Sequence, residues 1–444
     1  MAESHQHRLD GVAVGGPEER LHRSIAGAGL GHELERRERH LVVEAPSERD
    51  REVGHLPVAA RAGCGPSPDL SRAVWRLAGV REDGLESVEI HGATVARLPA
   101  VIDLRSDTAT KPTPAMLAAM ADADLGDEQL REDPTVNELQ RRAAELLGQE
   151  TALFVPTATM ANQIALRMLS RPGGELIAEE RTHVLVFEAG GPAVHSGLVM
   201  RGLPGVAGQI TPEQLRRVAD QADDLQPASV VVLEQTHRSS GGRVWPLDDL
   251  AEVAQTGRAV GLAVHLDGAR IMNASVASGI PAAEYGRLAD SVTICFSKGL
   301  GCPLGATLAT SEQRLPEAWA GKFLFGGAMR QAGVVAAAAL YALDHHIDRL
   351  ADDHRRARRL AEGLAEAGLP VDPDATETNF VAVDVASIGM DTAEAARRIG
   401  EQGVRVGVLR PGVLRVATYL GVGDDDVERA VELIPRALSV VART

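Results

Sequence analysis

The chain has 444 residues, 44% hydrophobic and 24% charged, which is length enough for two or three domains with a large core. A formal net charge of −16 leaves no basic surplus for neutralising nucleic-acid phosphates, and no run of about 18 apolar residues offers a membrane span. Three cysteines, Cys64, Cys295 and Cys302, are too few and too scattered for a disulfide framework or a zinc cluster, so a metal-free chain in a reducing cytoplasm is expected.

Residues 1–100 are rich in Gly, Arg, Glu and Ala and hold half of the fourteen histidines. Short periodic patches such as LERRERHLVVE and LSRAVWRLAGV occur, but no ordered alternation of elements. This segment is expected to be a poorly ordered or weakly helical extension, or sequence translated from upstream of the true start. Its histidines are too irregularly spaced to read as a metal site. MAESHQHRLDGV lacks the basic start and apolar stretch of a signal peptide.

From Val101 the pattern becomes α/β. The runs TALFV (151–155), SVVVLE (229–234), LAVHLD (262–267), SVTICFS (291–297) and ATLAT (306–310) read as strands. They alternate with helical stretches such as TMANQIALRML (159–169) and LDDLAEVAQT (247–256), which predicts a parallel, doubly wound sheet covered on both faces. A long amphipathic helix is expected with Ile347, Leu350, Ala357, Leu360 and Leu364 on its apolar face. Strand NFVAVDV (379–385), helix TAEAARRIGEQ (392–402), strand VLRVAT (413–418) and a helix from about Asp425 follow. The expected division is a large domain at 101–345 and a small C-terminal α/β domain at 346–444.

Three stretches carry chemistry. Only Lys111, Lys298 and Lys322 are lysine among 46 basic residues. Lys298, in CFSKGLGCPLG, directly follows a predicted strand, at the carboxyl end where open α/β sheets bind ligands. Lysine, unlike arginine, can lose its proton and form a Schiff base, although a chance lysine in a loop is the plainer reading. Asp267 ends LAVHLD. A carboxylate there can keep a pyridinium nitrogen protonated, as an electron-sink cofactor needs, or can simply cap the next helix. Arg270, three residues on, is either a bidentate clamp for a substrate carboxylate or a surface ion pair. In FVPTATMANQ (154–163), Thr157, Ala158 and Thr159 open a helix after a strand, which suits a phosphate or a plain helix cap.

In combination these stretches make residues 101–444 resemble the low-specificity L-threonine aldolases, pyridoxal-phosphate enzymes of the aspartate-aminotransferase fold, also called fold type I. The resemblance is carried by IDLRSDTATKPT (102–113), EDPTVNELQ (132–140), FVPTATMANQ, EQTHRSSGGRVWPL (234–247), HLDGARIMNAS (265–275), FSKGLGCPLGA (296–306) and GGAMRQAG (326–333). It implies a large, mostly parallel sheet domain, a small C-terminal domain, and pyridoxal 5'-phosphate as cofactor. It implies that Lys298 carries the cofactor, Asp267 pairs with its ring nitrogen, and Ala158 and Thr159 cradle its phosphate. His183 corresponds to a histidine stacked on the ring and His237 to one near the substrate hydroxyl, so either is a candidate base. Ser106, Arg270 and Arg415 correspond to contacts of the substrate carboxylate. The implied reaction is retro-aldol cleavage of threonine, allo-threonine or a related β-hydroxy-α-amino acid to glycine and an aldehyde, in a homodimer or homotetramer.

The sequence departs from that pattern at Ala158, where glycine is usual, at Leu130 and Arg131, where Tyr-Gly is common, and at Tyr419, where histidine is common. Lys322 and Arg330 flank GGAM and are candidates for a phosphate or a neighbouring subunit. Three competing readings keep the cofactor: a β-eliminating lyase, an aminotransferase, and a pyridoxal-phosphate-binding protein without turnover.

Overall fold

The computed structural model describes residues 87–90, 93–96, 101–221 and 227–438. Within the first hundred residues the described part is a pair of antiparallel strands, β1 (Ser87–Ile90) and β2 (Ala93–Ala96). The remaining expectations for residues 1–100 lie outside the described residues.

A seven-stranded sheet forms the centre, in the order β4-β10-β9-β8-β7-β5-β6. Its strands are β4 (Thr151–Val155), β5 (Glu175–Glu179), β6 (Val199–Leu203), β7 (Ala228–Glu234), β8 (Ala263–Asp267), β9 (Ser291–Cys295) and β10 (Ala306–Thr310). Neighbours from β6 through β9 run parallel, whereas β10 runs against both β9 and β4. The sheet is thus mostly parallel, as expected, with β10 as the antiparallel strand. ATLAT follows SVTICFS after only eight residues, too short a link for a helical crossover, so it returns antiparallel.

Side chains alternate across this sheet with a period of two. Ala152 and Phe154 enter one core with Val231, Leu233, Val264, Leu266, Val292 and Ile294. Leu153 and Val155 enter the opposite core with Leu176, Ala178, Val230, Val232 and Leu308. Burial on both faces explains why the strands read as nearly continuous apolar runs.

A four-stranded sheet, β11-β13-β12-β3, forms the second layer system. It joins β11 (Phe380–Asp384), β12 (Val404–Arg410) and β13 (Val413–Ala417) to β3 (Ile102–Leu104). β3 pairs parallel with β12, and Ile102 and Leu104 pack in the same core as Leu360, Leu364, Ile399 and Ile434. Residues 102–104 thus sit with the C-terminal sheet although they precede the large sheet in the chain. The amphipathic helix runs Leu350–Glu366. Ile347 lies before it and packs against the large-sheet core instead, because the preceding helix ends at His345.

Candidate active site

The carboxyl ends of β4, β5, β7, β8 and β9 lie along one edge of the sheet. The loops leaving them carry Thr157, His183, His237, Asp267 and Lys298. Five sequence-predicted stretches are therefore gathered at the end where α/β sheets bind ligands.

After β4, Thr157 caps the helix Ala158–Leu169, its Oγ1 accepting from the Met160 N–H at 3.1 Å. The helix begins at Ala158, with Thr159 exposed. Thr157 takes the Met160 N–H, which leaves the N–H groups of Ala158 and Thr159 for an anion.

After β9, the Lys298 loop is fixed by its backbone. The Phe296 N–H donates to Gly305 O at 3.0 Å, the Cys302 N–H to Phe296 O at 3.0 Å, and the Gly301 N–H to Lys298 O at 2.9 Å. Gly305 has φ of 116°, and a Cβ there would come within 2.9 Å of the Phe154 ring, so the turn requires glycine. The Lys298 side chain has no carboxylate within ion-pair distance among the described residues.

Asp267, at the end of β8, is buried. Its Oδ2 accepts from Asn162 Nδ2 at 2.8 Å and its Oδ1 from the Ala269 N–H at 3.1 Å. Burial disfavours its charge, but His183, Lys298, His265 and the Asn162 hydrogen bond outweigh burial and hold the carboxyl below its ordinary range. Helix capping explains little of this: the residue at the cap of the helix Ile271–Ser278 is Arg270, and one Asp267 oxygen is held by Asn162 on the helix Ala158–Leu169.

Asn162 is the hub that sequence reasoning missed. Its Nδ2 also donates to Glu188 Oε1 at 2.9 Å, and its Oδ1 lies 3.1 Å from His265 Nε2. His265 Nδ1 in turn lies 2.8 Å from Ser291 Oγ. Burial pushes His265 down to about 4, so it is neutral, with Nε2–H donating to Asn162 and Nδ1 accepting from Ser291. A signal existed: residues i and i+2 of a strand share a face, which places His265 beside Asp267 in HLD.

His183 sits at the start of the short helix that follows β5, His183–Val186, and is partly exposed. Its Nδ1 lies 2.9 Å from Glu188 Oε1, and its ring is 5.5 Å from that of Phe187. Ligand atoms of His183, Glu188 and Asp267 lie within 4.8 Å of one another. Burial works against the imidazolium, but the Glu188 hydrogen bond and the charges of Asp267, Glu188 and Glu234 raise the His183 pKa above its ordinary value.

His237 is placed differently. Its ring is fully buried, with Nδ1 2.6 Å from Ser240 Oγ and Nε2 3.1 Å from Glu179 Oε2, the latter poorly aligned for a hydrogen bond. Glu234 Oε2, 4.0 Å from His237 Nε2, accepts the His183 backbone N–H at 2.7 Å. Ser240 thus partners His237 Nδ1, while the buried Nε2 lies beside Glu179 without a hydrogen bond; His183, by contrast, is partly exposed.

Arg270 is corrected from the surface-pair reading: Asp107 binds its Nε and Nη2 at 2.7 Å each in a buried pair, which leaves Nη1 for any further contact. Asp107 lies in the LRSDT stretch but was not singled out from sequence. Arg415 donates Nε to Arg105 O at 3.0 Å, beside Ser106, and its Nη groups have no ion-pair partner among the described residues. The guanidinium carbons of Arg270 and Arg415 lie 4.8 and 5.0 Å from the Phe380 ring centre.

Lys322 is corrected as well. It is fully buried in an ion pair with Glu128, whose other oxygen accepts from the Met329 N–H at 2.8 Å, so it is not free for a phosphate. Arg330 is largely exposed and pairs with Asp127 at 2.8 Å. Of the departing positions, Leu130 is exposed, Arg131 adopts φ of 60° and lies 5.5 Å from the Trp319 ring, and Tyr419 donates to Asp103 O at 3.0 Å within the small core.

Residues 103–387 match the family model described as beta-eliminating lyase. The chain is 40% identical to a low specificity L-threonine aldolase of Escherichia coli over 331 residues, 74% of this chain and 96% of that one. It is 35% identical to low-specificity L-threonine aldolase 1 of Arabidopsis thaliana over 344 residues, 76% of this chain and 96% of that one. Among solved structures, a Leishmania major threonine aldolase superposes with a TM-score of 0.65 at 20% identity, covering 76% of this chain and all of that one, a likeness of fold.

Proposed function

Since the chain belongs to the beta-eliminating lyase family, in its low-specificity L-threonine aldolase group, we propose that it cleaves threonine or allo-threonine to glycine and acetaldehyde with pyridoxal phosphate as cofactor. The observation that carries this reading is the pairing of an unpartnered Lys298 with an ionised, buried Asp267 at the ends of adjacent strands β9 and β8.

The described residues fit the cofactor. The helix N-terminus at Ala158 and Thr159 suits its phosphate, Asp267 suits a protonated ring nitrogen, and Lys298 offers the amine that arginine cannot replace. When bound, the cofactor supplies the electron sink for the pair left as the Cα–Cβ bond breaks. Asn162 fixes the Asp267 carboxylate, and neutral His265 fixes Asn162.

The remaining roles belong to this chain's side chains. Arg415, with Ser106 beside it, holds the substrate α-carboxylate, and Arg270, braced by Asp107, contributes its remaining Nη1 and its charge. His183 in its neutral form takes the β-hydroxyl proton, and Glu188 orients it through Nδ1. His237 acts through Glu234, which holds the His183 backbone, and so is a positioning residue.

Product analysis with threonine, allo-threonine and phenylserine tests the reading. Glycine plus the matching aldehyde is the expected outcome. A 2-oxo acid with free ammonia would make the activity a β-elimination, and a 2-oxo acid formed without ammonia and only with an amino-group acceptor would make it a transamination.

We also infer a homo-oligomer in a reducing compartment. Exposed Leu130, Phe323 and Leu324 support an apolar contact surface, and Cys295 and Cys302 are free and buried. No helix among the described residues is long and apolar enough to cross a membrane.

A further inference from the structure

Arg238 has no role in the chemistry above, yet it stands at the site. It directly follows His237, and its backbone N–H donates to Glu234 Oε1 at 2.8 Å. Its guanidinium carbon lies 4.1 Å from the centre of the Phe187 ring, the ring that also neighbours His183. Its Nη1 is buried and makes no hydrogen bond, and no carboxylate lies within ion-pair distance of its guanidinium among the described residues. A buried donor without a partner is costly, and a cationic one more so.

Its surroundings make that orphan harder to dismiss. Burial first, then the charge of Arg270, lowers the Arg238 pKa, with Glu234 and Asp107 offsetting in part. Burial, then the charges of Arg238 and Arg270, pushes Arg415 down to about 10. Arg270 and Arg415 share the Phe380 ring, Arg238 is near enough for its charge to oppose theirs, and Asp107 neutralises just one of the three, Arg270. The α-carboxylate of an amino acid neutralises a second, Arg415. Arg238 remains. The cofactor phosphate does not serve it: the phosphate cradle follows β4, four strand spacings of about 4.8 Å from β7, which leads to Arg238.

Resting on the proposed aldolase reading, we infer that Arg238 selects substrates whose β-carbon carries a carboxylate, β-hydroxyaspartate being the smallest. Stacking on Phe187 holds the guanidinium plane, and the buried, unpartnered Nη1 receives the second carboxylate as the substrate enters. The reaction balances without a further reactant. The Cα–Cβ bond breaks, the β-hydroxyl loses its proton as its carbon becomes a carbonyl, and Cα takes a proton. β-Hydroxyaspartate thus yields glycine and glyoxylate.

The test compares kcat/KM for β-hydroxyaspartate and threonine in the parent holoenzyme, Arg238→Met and Arg238→Lys. The parent should favour the acidic substrate by at least about tenfold, and Arg238→Met should lower that ratio by about ten- to a hundredfold, the scale of a charge-assisted hydrogen bond. Arg238→Lys should restore part of it. Calorimetry gives a readout apart from turnover: the parent should bind L-aspartate, which lacks the β-hydroxyl, at least about tenfold more tightly than L-alanine, and Arg238→Met should not. A parent that cleaves threonine but shows no acidic preference overturns the inference and leaves the aldolase reading standing. A ratio unchanged in Arg238→Met overturns it too, assigning Arg238 to the α-carboxylate common to both substrates. Should the parent cleave neither substrate, the aldolase reading fails, and the aspartate titration alone decides for or against an acidic pocket.

Discussion

Asp107 and Arg270 meet in a buried two-pronged ion pair, Nε to Oδ2 and Nη2 to Oδ1, each at 2.7 Å. They come from residues far apart in the chain, and Asn379 donates to the same Asp107 Oδ2 at 3.3 Å. The pair therefore ties the segment after β3 to the segment after β8, and it sets Arg270 over Phe380 at the site. Removing one partner of such a pair leaves a buried charge unmatched. Asp107→Asn should cost about 3–5 kcal/mol of stability. Urea unfolding measures it, and a loss under about 1 kcal/mol would mean that Arg270 finds another partner.

The same pair sets an acid limit. Burial alone would raise the Asp107 pKa, but Arg270, Lys298 and Arg415 hold it at about 2. A depressed folded-state pKa contributes stability above the unfolded value near 3.9 and loses it as pH falls through the folded value. The contribution, roughly 2.5 kcal/mol by linkage, should fade between about pH 4 and pH 2. Unfolding free energies of the parent across that window should drop more steeply than those of Asp107→Asn; parallel curves would contradict the assignment.

Lys298→Arg should abolish turnover and the visible absorbance that attachment of the cofactor to lysine produces. Arginine keeps the charge but not the removable proton. Normal aldolase activity in this variant would falsify the role given to Lys298.

Much of the site was legible because its residues fall where the pattern changes from strand to loop. The reading of TALFV, SVVVLE, LAVHLD and SVTICFS placed Lys298, Asp267 and the Ala158 helix at strand ends, and the structure has strands there within a residue or two. β5 and β6 were missed, since GELIAEE and GLVMRGL are short and carry Gly or charge at their edges. β3 could not be assigned to its sheet, because three residues carry no record of which partner they pair with across three hundred positions. Side-chain commitments were the least legible. Nothing in HLDGAR says that Arg270 is already taken by Asp107, or that Lys322 spends its charge on Glu128. Those facts depend on long-range contacts that spacing does not encode.

The pH profile should report on His183. Carboxylates around it raise its pKa, so the neutral base needed for cleavage is lost as pH falls through a value above the ordinary 6.5 or so. Glu188→Gln removes the strongest of these favourable contacts. The acid limb of kcat/KM should then shift to lower pH, towards about 6.5, while Lys298 chemistry persists. A limb that stays in place would mean that another group sets it.

The last expectation separates the two histidines. His183→Ala should lower threonine cleavage by roughly 10² to 10⁴, the usual loss for a general base, while the protein still binds pyridoxal phosphate. His237→Ala removes a buried ring from between Ser240 and Glu179 and leaves Glu179 with the Arg181 N–H but without its imidazole contact, so its first effect should be on stability, about 1–3 kcal/mol. Gly208→Ala provides an independent handle: Gly208 has φ of 86°, and a Cβ there would overlap the His237 ring, so this substitution should also destabilise by displacing that ring. Both variants should depress kcat only as far as Glu234 lets the His183 backbone drift, and neither should erase the acid limb of the pH profile. If His237→Ala instead loses the limb and His183→Ala keeps it, the proton is taken at His237, and the buried ring must turn towards the substrate during the reaction.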